Sequence, residues 1–295
     1  MVKPETEREW TIHSINIHGV FFERWCQQVI RDADGWWLED SNYPVAFPPR
    51  NKEGLEPKES ALDVRASSEY RKGKLNLLIE CKKNNPEFID WIFFKKDLRT
   101  ATEVQAIKDP RNPQTGPAPH YFCQPFRTLP IADEARETRG TYQAYSDQRS
   151  NKTKTSNTAV TDASRQVALA TQAIVYEDWR KIRENQGKGE HEIQCFFPLI
   201  VTSANLFICN FNPKDVSEGT GEIPFDKVEL EEMPYLIYEF PLPHHLQSTH
   251  LYPDKSSLNP YQLRQHTRLD IAVVNSRKFN DFLGFIKRHM DYFFF

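Results

Sequence analysis

A nine-residue run, LNLLIECKK at 75–83, sets the strongest limit on how this chain can fold. Leucines and an isoleucine fill its first half, whereas a glutamate, a cysteine and two lysines close it. Apolar side chains at this density are buried, but a carboxylate or an ammonium is buried only where another group compensates its charge. The run therefore predicts a buried strand whose charged end lies at a polar site.

The residues around this run predict a β-hairpin. Apolar and polar residues alternate from Ala61 to Glu69 and from Lys74 to Lys82, and a glycine-containing turn separates the two segments. Two antiparallel registers keep the apolar faces together. One places Asp63 opposite Glu80, and the other places it opposite Lys82. Either register brings these three charged side chains together on one face.

The opposite face of this hairpin is expected to be apolar. Alternation assigns to it Leu62, Val64, Ala66, Leu75, Leu77, Ile79 and Cys81. Cys81 is expected to be a small buried residue there, and a nucleophilic role is disfavoured because no basic partner lies at a readable spacing.

Helical and extended patterns alternate along the chain and predict an α/β protein with a mixed central sheet flanked by helices. A helix is expected from about Gly19, with Phe22, Trp25, Cys26 and Val29 buried. The other predicted helices are 162–184, with Asp162 as N-cap, and 276–292; further strands are predicted at 36–47, 195–211 (two short strands) and 234–243. The Pro-rich and polar stretch between 100 and 160 is interpreted as a long loop.

Composition limits the function classes. The 295 residues are 39% apolar and 27% charged, which favours one packed domain over global disorder. A net charge of -3 leaves nucleic-acid binding to local basic patches. Five cysteines without a C-x-x-C pair, and no apolar leader or membrane-spanning run, predict a cytoplasmic protein.

Two carboxylates and an ammonium on adjacent strands suggest a metal site. Two carboxylates at such a short distance repel each other unless a cation lies between them. Hard oxygen ligands of this kind suit Mg²⁺ or Mn²⁺. Asp63 and Glu80 are the expected ligands, with a further oxygen from the backbone carbonyl of Cys81. Lys82 is expected to orient a water and to stabilise charge that develops at a phosphorus centre.

Leu62-Asp63 followed by Glu80-Cys81-Lys82 resembles the PD-(D/E)XK nuclease superfamily, which has the restriction-endonuclease-like fold. The resemblance covers about residues 15–212 and leaves 213–295 as a C-terminal extension of a single domain. It implies that Glu23, on the first helix, also belongs to the catalytic site. The motif's proline is Leu62 here, which departs from the pattern.

The resemblance implies a metal-dependent nuclease. The analogy to Mrr-like restriction enzymes favours DNA over RNA as the substrate and a role in restriction or phage defence. It leaves open whether the protein is a homodimer. Candidate phosphate contacts are Arg65, Lys72, Lys74, Lys83, Arg149, Lys152, Lys154 and Gln166. The alternative from a different class is a catalytically silent module that binds nucleic acid or a protein partner with the same fold.

Simpler interpretations stay open from the residues alone. The Asp63, Glu80 and Lys82 group also fits a salt-bridge cluster on a solvated hairpin face. A histidine-rich segment, HHLQSTH at 244–250, has enough imidazoles for a transition metal, but loop histidines without a ligand are more common.

Overall fold

The structure, a computed structural model, describes residues 6–17, 19–47, 58–71, 73–84, 89–96, 104–108, 118–122, 129–138, 158–184, 193–247 and 267–294. The helices of this part are α1 (Glu7–Ile17), α2 (Val20–Asp32), α3 (Thr158–Glu184), α4 (Phe279–Arg288) and α5 (Asp291–Phe294). The strands are β1 (Trp37–Phe47), β2 (Lys58–Tyr70), β3 (Gly73–Lys82), β4 (Asp90–Lys95), β5 (Val104–Lys108), β6 (Ala118–Phe122), β7 (Ile131–Thr138), β8 (Ile193–Thr202), β9 (Asn205–Phe211), β10 (Val228–Met233), β11 (Tyr235–Pro241) and β12 (Arg268–Asn275).

One mixed sheet organises these elements, as the α/β prediction requires. Its main path has the order β1-β2-β3-β8-β12-β11-β7-β4-β9-β10, and the β5–β6 hairpin joins β8 outside this path. The first three strands form an antiparallel meander, and β3 then pairs in parallel with β8. A parallel pair needs a long crossover between its strands. The segment from β4 through α3 supplies this crossover.

Apolar side chains on the two faces of the sheet form two cores. On one face α3 packs against side chains from most of the strands, and its predicted stripe of Val167, Ala170, Ile174 and Val175 is buried. On the other face α2 and α4 cover the sheet. Leu77 and Leu78 are adjacent in β3 yet pack in different cores. Burial on both faces explains why this strand is apolar along most of its length.

Several elements lie where the sequence predicts them. The hairpin of β2 and β3, the strand pair β8 and β9, and strand β11 agree with their predicted ranges. Helix α4 buries Phe279, Phe282, Leu283 and Ile286, which are the inner residues predicted for the helix at 276–292. The C-terminal extension is not peripheral throughout, because it supplies β11 and β12 to the interior of the sheet, although its β10 is an edge strand.

The loop predicted between 100 and 160 is wrong in part. Strands β5, β6 and β7 lie within this range, and β7 pairs with both β4 and β11. Its sequence, IADEARET, is rich in alanine and acidic residues, which have low β propensity. Pairing with neighbouring strands therefore stabilises a segment whose own residues do not favour a strand.

Two details of the predicted helices are also wrong. Helix α3 begins at Thr158, so Asp162 is not its N-cap. The Glu137 carboxylate instead accepts a hydrogen bond from the Val160 amide at 2.8 Å, and a distant strand thereby satisfies one of the amides that every helix start leaves unpaired.

The buried face of α2 is rotated relative to the predicted one. Cys26, Gln27 and Ile30 are its buried residues, whereas Trp25 is 41% exposed. The Trp25 ring stacks on Phe22 at 5.7 Å between centroids and lies 6.5 Å from the Phe279 ring of α4, so its ring contacts are with helices.

A close contact at the start of β3 gives a stability prediction. A Cβ atom at Gly73 would overlap the ring of Phe294, which stacks on Tyr70 at 5.9 Å between centroids. Gly73→Ala is expected to lower the free energy of unfolding by about 1–3 kcal/mol, because the ring must leave its position. Chemical denaturation measures this loss.

Two further variants test the cause of that loss. In a Phe294→Ala background the Gly73→Ala change should have little effect, since the overlapping ring is gone. Gly219→Ala is the matched control, because no atom lies within 4 Å of a Cβ built there. An equal loss for Gly73→Ala with and without the Phe294 ring would contradict the explanation.

Candidate active site

Glu80 is buried because β3 is paired on both of its edges. Glu80 lies opposite Ile200 of β8 and is only 3% exposed to solvent. Alternation along β3 puts its side chain on the same face as Leu78, which packs in the α3 core, and as Lys82 at the strand end. Lys82 is half-buried. The solvated salt-bridge interpretation does not fit this carboxylate, since Glu80 is not on a solvated face.

The hairpin adopts the register that directs Asp63 towards Glu80. The pairs Val64–Ile79 and Arg65–Leu78 belong to this register, and the β2–β3 ladder ends at the Val64–Ile79 pair. Beyond it the Asp63 carboxylate accepts a hydrogen bond from the main-chain amide of Cys81 at 2.7 Å. Asp63 is thus fixed beside the strand end that carries Glu80.

The expectation that Leu62, Val64 and Ala66 share one face is wrong for Leu62. Its side chain packs in the α3 core, whereas Val64 and Ala66 pack in the opposite core. The side chains change face at Asp63. On the neighbouring strand β1, Asn42 lies between the two residues that pair with Val64 and Leu62, and its φ is 54°. A local irregularity in both strands therefore accompanies the change of face at Asp63.

Glu23, on α2, lies within electrostatic reach of Asp63 and Glu80. The helix starts after Gly19, whose φ of 79° is in the left-handed region that favours glycine. The turn is tied to the end of β3, because the Lys83 ammonium donates to the Asn16 carbonyl at 2.5 Å. Burial raises the pKa of Glu23, and the charge of Glu23 in turn raises the pKa of both Asp63 and Glu80.

The carboxylates are held in a site that disfavours their charge. Burial is the main cause that raises the pKa of Asp63 to about 6, against the lowering effect of the Cys81 amide. Burial, followed by the charge of Asp63, raises the pKa of Glu80 to about 9, and Lys82 opposes this rise. The Oε2 atom of Glu80 is buried and has no hydrogen-bond partner among the described residues. The positive charge of Lys82 therefore does not offset the effects of burial and of the neighbouring carboxylates.

The donor set fits a small, hard divalent cation. Asp63 and Glu80 could supply carboxylate oxygens, one of which has no hydrogen-bond partner in the part of the chain that the structure describes, and a cation between them would relieve their mutual repulsion. Within the described ranges, no three His, Cys, Asp or Glu side chains are already grouped as metal ligands. A third protein oxygen would have to come from the main chain or from a movement of Glu23.

The Cys81 side chain belongs to the core and not to the site. It is buried against α2, where a contact with Cys26 and burial raise the pKa of its thiol well above the usual value. A thiol of this kind stays protonated, so a nucleophilic role is not supported.

Most predicted phosphate contacts have other partners or lie elsewhere. Arg65 donates to Asn76 at 3.1 Å, Lys74 pairs with Glu39 at 2.8 Å, and Lys83 donates to Asn16. Lys74 is six residues before Glu80, which places it roughly 20 Å back along the strand. Gln166 is half-buried on α3. Lys72, Arg149, Lys152 and Lys154 lie outside the described residues.

The described residues of the histidine segment, 244–247, form no group of metal ligands either. His244 and His245 lie in a 3-10 turn, His244–Leu246, and burial lowers the pKa of His245. The third histidine, His250, lies outside the described residues. Over the ranges that the structure covers, no helix combines the length and the apolar character needed to cross a membrane.

Sequence reasoning missed one acidic residue at this site, Glu137. It lies near the end of β7, accepts the Val160 amide, and is within electrostatic reach of Lys82. The prediction of a loop over this stretch hid it. The segment gives no clear alternation signal, because the buried Ile131 and Ala132 are adjacent and are followed by two exposed acidic residues.

No family model, no curated protein and no solved structure matches this chain.

The raised pKa values predict how stability depends on pH. Without divalent cations, the free energy of unfolding should fall as the pH rises from about 4.5 to about 9. The unfolded chain releases the protons of both carboxyl groups at ordinary pH, whereas the folded protein retains that of Asp63 up to about 6 and that of Glu80 up to about 9. Denaturation in EDTA at several pH values measures the slope.

Glu80→Gln should remove most of this slope above pH 6, because an amide cannot ionise. The control is Glu231→Gln, an exposed position on β10, which should keep the wild-type slope. Parallel curves for wild type and Glu80→Gln would show that Glu80 does not titrate in the folded protein as proposed.

Proposed function

We propose that the protein is a divalent-metal-dependent nuclease that hydrolyses phosphodiester bonds of nucleic acid. The observation that carries the proposal is the buried carboxylate of Glu80, which lies with Asp63 and Lys82 at one strand end and whose Oε2 has no hydrogen-bond partner among the described residues. A perturbed acid next to a second acid and an ammonium is a common mark of a functional site. Salt-bridge stabilisation does not account for it, since Lys82 forms no ion pair within the described residues.

The order of elements supports a restriction-endonuclease-like core. Helix α2 precedes the meander β1-β2-β3, and α3 precedes β8, which pairs in parallel with β3. We propose that these elements are the catalytic core of a single domain, with β4–β7 as an insertion and residues 213–295 as an extension. Fold similarity alone does not establish an activity, so the site carries the proposal.

Asp63 and Glu80 would hold Mg²⁺ or Mn²⁺, with the Cys81 carbonyl as a further ligand. The cation supplies positive charge that stabilises developing negative charge on phosphoryl oxygens and makes a nearby water a better nucleophile. Glu80 must lose its proton before it can bind the cation, and burial together with the charge of Asp63 otherwise keeps this carboxyl group protonated. Affinity for the cation should therefore rise with pH up to about 9.

The remaining residues act on the water and the phosphate. The Lys82 ammonium has three N–H donors and no ion-pair partner in the described chain, so it can orient the attacking water and donate to a phosphoryl oxygen. Glu23 faces Asp63 and Glu80 from α2 and can accept a proton from the same water, because burial already raises its pKa. We propose DNA as the substrate and a cytoplasmic role in restriction or defence.

Cleavage assays test the proposed function directly. The purified protein should degrade labelled DNA in the presence of Mg²⁺ or Mn²⁺, and EDTA should abolish the reaction. Single-stranded DNA, duplex DNA and RNA are compared in parallel to identify the substrate. Binding of nucleic acid without cleavage under every metal condition would favour the silent binding module instead.

Lys82→Ala should lower the cleavage rate by about 100-fold or more, because the charge is needed as negative charge develops on phosphorus. Folding and Mn²⁺ affinity should stay close to wild type, since a protonated lysine has no lone pair for a metal. Glu80→Gln should instead weaken Mn²⁺ binding by about 10–100-fold. Calorimetric titration and cleavage kinetics on the same preparations separate the two effects.

Lys214→Ala is the matched control, because Lys214 is exposed in the 3-10 turn Pro213–Asp215. It should leave cleavage and Mn²⁺ binding unchanged. If Lys82→Ala cleaves as fast as Lys214→Ala, Lys82 has no role in the reaction.

A further inference from the structure

A cavity lies between strand β1 and the second half of helix α3. Its volume is about 390 Å³. Residues 43–46 of β1 form one wall, and the other wall consists of Ala173, Ile174, Tyr176, Glu177 and Arg180. Sites for small ligands are usually cavities of about 300–1,000 Å³ with apolar and aromatic walls and a few polar groups. This cavity therefore has the size and the composition of a ligand site.

The cavity is close to the candidate active site. Tyr43 pairs with Leu62, the residue directly before Asp63, and both side chains belong to the α3 core, on the sheet face that carries Glu80. Two strand spacings separate β1 from β3, which is roughly 10 Å. A nucleic-acid strand with one phosphate at the site can therefore reach the cavity with a base about three nucleotides away.

The Glu177 carboxylate is the acceptor that faces this cavity. The Tyr43 hydroxyl donates to its Oε2 at 3.4 Å, and the Lys181 ammonium lies 3.4 Å from its Oε1. Hydrogen bonds to a carboxylate are normally about 2.5–2.9 Å long. Both contacts of Glu177 are thus long and weak, so a ligand with N–H donors can replace them with shorter ones.

These groups fit a guanine base among the nucleobases. The tyrosine rings offer flat apolar surfaces, and a carboxylate can only accept hydrogen bonds. Guanine carries two adjacent donors on its pairing edge, the N1–H and the 2-amino group. Adenine and cytosine carry an amino group beside an acceptor nitrogen, and thymine and uracil carry one N–H between two carbonyl groups. An acceptor atom placed opposite a carboxylate is repelled, so Glu177 favours guanine.

We propose that the cavity between β1 and α3 binds an unpaired guanine of the substrate, with Glu177 as the acceptor for its N1–H and its 2-amino group. The exposed Arg180 at the cavity can donate to a phosphate of the same strand. The inference rests on the proposed nuclease function and deepens it. Pairing in a duplex occupies this edge of guanine, so the substrate is a single strand or a locally unpaired segment.

Nucleotide binding tests the cavity without any cleavage. The metal-free protein is titrated calorimetrically in EDTA with dGMP, dIMP and dAMP. The base of dIMP differs from that of dGMP only by the missing 2-amino group, so the pair isolates one hydrogen bond to a charged acceptor. dGMP should bind about 10-fold more tightly than dIMP or dAMP. Equal affinity for the three nucleotides, or no binding of dGMP, would overturn the proposal.

Variants locate the binding. Glu177→Gln should bind dGMP and dIMP equally well, because the paired acceptor oxygens are lost. Ala173→Leu fills the cavity and should weaken the binding of all three nucleotides. Glu218→Gln removes an exposed carboxylate between β9 and β10 and should keep the wild-type preference. Tm values of each variant check that the fold is retained. A wild-type preference for dGMP in Glu177→Gln would show that the base is recognised elsewhere.

Cleavage distinguishes this inference from the proposed function. An active protein should cut single-stranded DNA with guanine near the cut faster than the same strand with inosine, and Glu177→Gln should remove this difference. Cleavage without a preference, together with no dGMP binding, would overturn the guanine site and leave the nuclease function intact. Selective dGMP binding to a protein that cleaves nothing would support the guanine site and overturn the nuclease function.

Discussion

Pairing of β3 on both edges is the constraint on which the rest of the structure depends. The strand hydrogen-bonds with β2 on one side and β8 on the other, and its side chains enter both cores. Once it occupies this position, whatever residue follows Ile79 in the strand is taken out of water. In this chain that residue is a glutamate, so the fold forces a carboxyl group into a site that costs free energy to ionise.

A stable protein can retain such a group because two large cores offset its cost. Proteins often hold unfavourable local arrangements where function needs them, supported by packing elsewhere. The elements around Glu80 each add one polar group: β2 adds Asp63, α2 adds Glu23, β7 adds Glu137, and β3 itself adds Lys82. Four segments of the chain thus contribute polar groups near one strand end. The Cys81 amide donates to Asp63 and the Val160 amide donates to Glu137, and these hydrogen bonds fix two of the carboxylates.

The sequence predicted the hairpin and the Glu80–Lys82 face and limited the register to two alternatives, because strict alternation and a glycine turn leave few others. It did not predict that Leu62 would change sides, because that bend depends on where β2 separates from β3. Glu137 was missed for a different reason. Its strand has little β propensity of its own and forms through pairing with β4 and β11, which are remote in sequence. Trp25 was misplaced because periodicity fixes a helix face only to within about one residue.

The hydrogen bond between Asp63 and residue 81 is made by the main chain of that residue. The side chain of Cys81 points the other way, into the core with Cys26. Position 81 therefore contributes to the site through atoms that nineteen of the twenty amino acids share, and proline alone lacks the required N–H. Evolution is free to exchange this residue within the limits of core volume. A variable position between two fixed charged ones is thus the signature that this geometry would leave in related sequences.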